Sequence, residues 1–472
     1  MTDPHPDVDI AQLTIAEASA RIEAGTLTPT ALAEATFARI EQVDPAVHAY
    51  VQLMRDSAMV EAQASTLRAA AGRRYGPMDG IPIAVKDLFD TAGVVTAGGT
   101  SAHFDRVPTE DATAVRLLRE AGAVIIGKAN THELALGGTT NNVHFGATHN
   151  PWKLTHVPGG SSGGSGAAVA ASEALGALGT DTGGSIRIPA AFCGVTGFKP
   201  TYGLVGRGGV MPLALTLDHA GPIAKTAEDC ALMLNVLQGH DPTDYDSVER
   251  PSQDFTADLD GGVRGLRLAV MPSLVEAASQ ATREAFERAL ATLEALGAVV
   301  AEIEPMADIA GWQYRTAPII TTEGATVSEA ILRERPESIG EPVRTRILYG
   351  LDANVHDYIR AIEFRKELEA RFERIVGPGG AADAILLPTA LNTAEPIGET
   401  PLDEVSPQDK FQNTRVFNHT HQPSLSVPCG FDADGLSIGL MITTAKWSDA
   451  LTLRIGHAFQ QATDFHTQHP SL

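Results

Sequence analysis

The sequence predicts a layered α/β fold, and two patterns carry that expectation. Short apolar runs rich in β-branched residues recur along the chain, among them GIPIAVKD at 80–87, AGAVIIGKAN at 121–130 and AILLPTA at 384–390. Between them lie longer stretches of helical periodicity, the alternation expected of helices packed on a sheet. The composition agrees: 472 residues, 43% hydrophobic and 20% charged, describe an ordinary folded chain, neither disordered nor fibrous.

Taken in order, residues 10–45 place apolar side chains at spacings of three and four, broken by Gly25 and the helix-start pair Thr28-Pro29, so two helices are expected. Residues 80–90 read as a buried strand that emerges on Lys86 and Asp87, at the end of a strand where ligands gather in open α/β sheets. An amphipathic helix follows at 111–120 and a strand at 121–130. The glycine- and asparagine-rich stretch 131–151 reads as a loop, and its His132, His144 and His149, with His156 beyond, read as surface residues. An alanine-rich helix is expected at 164–174, then a strand ending on Asp181. The chain next turns through Thr182, Gly183 and Gly184 into a helical turn at Ser185, where converging backbone N–H groups suit an oxyanion.

Residues 239–262 are acidic and turn-rich, a surface connection between two patterned halves. Beyond it, strands are expected at 265–273, 298–304 and 384–390, with helices at 282–296, through 311–376 and at the closing 450–463. A polar loop is expected over 391–412.

A net charge of −23 and a pI near 5.0 disfavour phosphate backbones and anionic membranes, so nucleic acid and membrane are excluded as expected partners. The N-terminus lacks a leader pattern and no apolar run is long enough to span a bilayer, so a cytoplasmic location is expected, as monomer or homodimer. Three scattered cysteines, Cys193, Cys230 and Cys429, support neither a disulfide framework nor a zinc site. No metal and no cofactor are expected.

The chemistry concentrates in 158–200, PGGSSGGSGAAVAASEALGALGTDTGGSIRIPAAFCGVTGFKP, which holds two glycine-flanked serine clusters. Glycine there lets the backbone turn tightly and approach another group. A flexible linker is a poor reading, because the stretch passes directly into a helix and a second Gly-Gly-Ser follows a strand. A phosphate loop is absent, since GxxxxGK[ST] does not occur. Gly160, Ser162 and Gly164 do satisfy GxSxG, the pattern of a nucleophile elbow, although KLTHVP before them makes a poor strand.

GIPIAVKD around Lys86, PGGSSGGSG around Ser161 and GTDTGGSIRIPAAFCGVTGFKPT through Thr201 resemble the motifs of the amidase signature family of serine hydrolases, with weaker similarity from about residue 10 to the C-terminal helix. The resemblance implies one domain over 1–472, with an N-terminal helical segment to about 75, a signature core at about 76–230, the connection at 239–262 and a C-terminal part from 263. It also implies a large mixed sheet flanked by helices on both faces. It implies a triad of Ser185 as nucleophile, Ser161 as bridging serine after a cis peptide, and Lys86 as terminal base. Backbone N–H groups of Thr182, Gly183, Gly184 and Ser185 would hold the oxyanion, with Gly160, Ser162, Asp181 and Arg187 supporting the loops.

Family members include amidases, urethanases that cleave carbamates, and the A-type chain of glutamyl-tRNA amidotransferase. That chain resembles this one in a basic residue at Arg346 but has an acidic residue where Phe411 stands here. The departure sets the expectation: a hydrolase cleaving the C–N bond of a small amide or carbamate with water. The alternatives are a glutamine-hydrolysing A-type subunit, or a GxSxG hydrolase using Ser162.

Overall fold

A computed structural model of the chain describes residues 8–306, 311–398 and 411–472. Thirteen strands occur among them: β1 Tyr50–Leu53, β2 Pro82–Lys86, β3 Val124–Ala129, β4 Asn141–Asn142, β5 Gly146–Ala147, β6 Gly176–Asp181, β7 Thr196–Lys199, β8 His219–Ala224, β9 Arg267–Val270, β10 Val299–Glu302, β11 Ala384–Pro388, β12 Ser424–Phe431 and β13 Ser437–Thr443. The short β4 and β5 pair with each other, and the other eleven form one sheet in the order β1-β3-β2-β6-β8-β7-β12-β13-β11-β9-β10. It is mixed: β3, β2 and β6 run parallel, β11, β9 and β10 run parallel, and the remaining pairs are antiparallel.

Alternation along the strands builds a core on each face. Ile83, Val85, Ile125 and Leu178 join one apolar cluster, while Ala84, Val124, Ile126 and Ala177 join another on the opposite side. Leu268, Val270 and Leu386 extend the first, and Ala269, Ile385 and Leu387 belong to a third cluster. Each large aliphatic buried this way contributes roughly 1.5–3 kcal/mol, so the period-two pattern fixes which face every strand presents.

The two expected N-terminal helices form at Ile15–Glu23 and Pro29–Val47. Thr14 and Glu17 make a capping box on the first, and Thr28 caps the second ahead of Pro29. The alanine-rich helix is Gly163–Ala170, buried on every face. A Cβ on its Gly164 would come within 2.4 Å of the Asn130 carbonyl and 2.5 Å of that of Ala49, which explains the glycine. Residues 311–376 fold as the helices Trp312–Glu334, Glu341–Leu351 and Val355–Val376 among the described residues.

Four central strands, β7, β8, β12 and β13, do not stand out in the sequence. β8 reads HAGPIA, and glycine and proline argue locally against a central strand, yet it pairs on both edges. Of the polar loop expected over 391–412, residues 399–410 lie outside the described residues, as do 1–7. No described helix is long and apolar enough to cross a membrane.

Candidate active site

Parallel neighbours β2 and β6 end on Lys86 and Asp181 at the same edge of the sheet. Lys86 is fully buried, and its Nζ lies 2.7 Å from Ser161 Oγ, 2.9 Å from Ser162 Oγ and 2.8 Å from Thr180 Oγ1. Burial pushes its pKa well below the ordinary lysine range, against the opposing charges of Asp181 and Asp218. A neutral amine has two N–H groups and a lone pair, so one of the three hydroxyls must donate to it. Ser162 Oγ already donates to the Thr180 carbonyl at 3.1 Å, which leaves the hydroxyl of Ser161 or Thr180 to do so.

The Gly160–Ser161 peptide is cis. Its loop lies on residues 137–140, so closely that a Cβ on Gly160 would meet Thr139 N at 2.8 Å. The Ser161 carbonyl accepts from His132 N and Thr131 Oγ1, both at 3.0 Å. Ser162 does not sit on a nucleophile elbow: turns precede it in place of a strand, its side chain is fully buried, and its hydroxyl is held by Lys86 and Thr180. Its backbone N–H reaches the Ser185 carbonyl at 3.2 Å, joining the two serine segments.

Asp181 organises the Ser185 turn. Its carboxylate accepts from Gly184 N at 2.8 Å, Ile186 N at 3.1 Å, Arg187 Nη2 at 2.9 Å and Nε at 3.0 Å, and Asn418 Nδ2 at 2.8 Å. Burial alone would favour the protonated acid, but Arg187, with Lys199 and Asn418, outweighs it and holds the carboxyl well below its usual range. Gly184 therefore departs from the expected oxyanion donors, because its N–H is already given to Asp181. The N–H groups of Thr182, Gly183 and Ser185 make no hydrogen bond among the described residues, and Ser185 keeps 8% exposure. Thr414 Oγ1 fixes the Gly183 peptide by donating to its carbonyl at 2.8 Å.

Thr180, Thr414 and Asn418 escape sequence reasoning, and the last two lie more than 230 residues from the turn they hold. The histidines also depart from expectation. His132 and His156 are buried, and burial, with Arg346 and Lys86 nearby, lowers His132 to about 3. His144 meets Glu133 at 2.9 Å. Phe411 and Arg346 both reach the loop under Gly160: the Phe411 ring lies over Gly138, and Arg346 Nη1 donates to the Leu136 carbonyl at 3.2 Å. Behind Thr180 and Thr182 opens a cavity of about 300 Å³, lined also by Met211, Leu213, Asp218 and Tyr245.

The amidase family model matches residues 31–453. The A-type chain of the glutamyl-tRNA(Gln) amidotransferase from Chloroflexus aurantiacus is 38% identical over 491 residues, spanning 98% of this chain and 99% of its own. Among solved structures, a chain of a vestigial protein complex that reveals the evolutionary origins of an s-triazine catabolic enzyme superposes with a TM-score of 0.89 at 32% identity, covering 95% of this chain and 98% of its own. A bacterial aryl acylamidase gives 0.89 at 27% identity, with 98% and 100% covered. The chain belongs to the amidase signature family.

As an amidase signature enzyme it acts on amide C–N bonds. The exclusion of nucleic acid, and of protein partners other than a second copy, is overturned: the Chloroflexus relative, matched end to end, is named as one subunit of a tRNA amidotransferase. Net charge describes the far field of one isolated chain, and in a multisubunit enzyme another chain can carry the RNA contact.

Proposed function

We propose that the chain hydrolyses a carboxamide through an acyl-enzyme on Ser185, and that its amide donor is glutamine, as an A-type subunit working with further subunits and tRNA. The observation that carries the reaction is the buried Lys86 amine among hydroxyls, 2.7 Å from Ser161. With its lone pair available, Lys86 takes the Ser161 proton while Ser161 takes that of Ser185, whose Oγ attacks the carbonyl. The tetrahedral oxyanion meets the uncommitted N–H groups of Thr182, Gly183 and Ser185, each worth about 3–4 kcal/mol. Ser161 returns a proton to the leaving nitrogen, and water then cleaves the ester. The end-to-end match to a named amidotransferase chain supports glutamine as donor.

One observation favours a second reading, hydrolysis of a small amide or carbamate: the apolar ring of Phe411 covers Gly138 and lies 6.3 Å from Phe192, where the resemblance expects a carboxylate. Purified protein assayed on glutamine, an aliphatic amide, an aryl amide and a carbamate, with Ser185→Ala as blank, separates the two. Glutamate release above the blank supports the first reading; turnover of the others with glutamine untouched supports the second. Turnover retained in Ser185→Ala sinks both.

A further inference from the structure

β6 and β8 pair in antiparallel register with Asp181 opposite His219, so Thr182 and Asp218 face each other one step beyond the end of the ladder. Thr182 Oγ1 donates to Asp218 Oδ1 at 2.5 Å. The other carboxylate oxygen accepts from Leu213 N at 2.8 Å and Ala214 N at 3.0 Å, in the segment that walls the cavity behind the site. Asp218 thus ties the first residue of the Ser185 turn to that wall. Its carboxylate also acts on Lys86 through space, as Asp181 does.

We propose that Asp218 is a positioning residue for the reaction: through the Thr182 hydroxyl it sets the direction of the oxyanion N–H groups, and its carboxylate adds a second negative charge, beside that of Asp181, acting on the Lys86 amine. The inference rests on the reading of Ser185 and Lys86 given above. The two negative charges are not equivalent. Asp181 is neutralised locally by two hydrogen bonds from Arg187, whereas Asp218 receives only neutral donors: the Thr182 hydroxyl and two backbone N–H groups. Burial raises the Asp218 carboxyl, opposed in part by Arg207, which donates to the Asp218 backbone carbonyl at 3.1 Å and spends its Nη2 on the carboxylates of Asp244 and Asp246. The remaining titratable group facing Lys86 is His132, neutral by burial. Asp87, the neighbour of Lys86 in sequence, is directed to Lys128 at 3.5 Å.

Two substitutions separate the charge from the tether. Asp218→Asn keeps the size and the acceptor for Leu213 and Ala214 but removes the charge. With less negative potential, the Lys86 amine stays neutral to lower pH, so the acid limb of kcat/KM moves down by about one pH unit. Thr182→Val keeps the charge and removes the tether: kcat falls at least tenfold, KM changes less than threefold, the acid limb stays in place, and Thr182→Ser restores kcat. The profiles are recorded on the best substrate of the panel and, in parallel, as the rate of Ser185 labelling by a fluorophosphonate, across the pH range in which circular dichroism shows each protein folded. Identical limbs in wild type and Asp218→Asn, undiminished kcat in Thr182→Val, or failure of Thr182→Ser to restore it overturns the assignment. Should Asp218→Asn fail to fold, the Thr182 pair decides. Activity remaining in Ser185→Ala or Lys86→Ala would remove the relay itself, a result distinct from any of these.

Discussion

Replacing Arg187 by methionine strands the Asp181 carboxylate in a fully buried site. Breaking a buried ion pair by removing one partner costs about 3–5 kcal/mol. Here the lower end applies, because Asp181 keeps four donors: the backbone N–H groups of Gly184, Ile186 and residue 187, and Asn418 Nδ2. Urea unfolding at pH 7.5 should show a loss of about 3 kcal/mol for Arg187→Met. The loss should shrink with acid. In the wild type the depressed Asp181 pKa contributes stability that is complete above the unfolded value near ~3.9 and is lost only below it. In the variant the largest opposing charge is gone, burial outweighs what remains from Lys199 and Asn418, the folded pKa rises above the unfolded one, and stability increases as pH falls and the carboxyl protonates. At pH 4.5 the difference between the two proteins should therefore be smaller, and Arg187→Met combined with Asp181→Asn should recover part of the loss at pH 7.5. A loss below about 1 kcal/mol, or one independent of pH and undiminished in the double variant, would refute the reasoning.

Other expectations are simpler. Ser185→Ala should abolish fluorophosphonate labelling and turnover, and Lys86→Ala should cut the labelling rate at least a hundredfold, read by mass spectrometry. Gly164→Ala drives a methyl into two backbone carbonyls and should cost about 1–3 kcal/mol in urea unfolding, whereas Gly183→Ala meets only Arg415 at 3.8 Å and should fold normally. Asp87 is raised to about 6 by burial, against the pull of Lys128, so its ionisation weakens the fold as pH rises from about 4 through 6. Asp87→Asn should flatten that part of the stability profile; an unchanged slope would show that Asp87 does not titrate there.

What can be read from the sequence is local. Lys86 at a strand end, the two glycine-flanked serines and the Asp181 turn each announce themselves within about ten residues, and the short apolar runs alternating with helical periodicity forecast a layered α/β fold. What escapes depends on distance along the chain. Thr414 and Asn418 steady the Ser185 turn from a helix over 220 residues away, and nothing nearby in sequence marks them. His132 reads as a loop histidine, yet its ring occupies the space a Cβ on Gly137 would need, at 2.2 Å, and that packing exists only in three dimensions. Gly184 carries the expected motif, but its N–H goes to a neighbouring carboxylate, a detail of orientation that composition does not encode. Substrate choice is harder still, because the walls of the cavity come from residues near 135, 180, 211 and 245.

The position of β12 and β13 in the sheet has a consequence for the newborn chain. These strands sit between β7 and β11, so they join the strands built before residue 224 to those built between 267 and 388. As the polypeptide leaves the ribosome, both earlier blocks expose an unsatisfied sheet edge until residues 424–443 emerge and close the gap. A chain truncated before residue 424 should thus persist as two sticky half-sheets and enter inclusion bodies. The last two strands of the sheet are the clasp that joins its two halves into one.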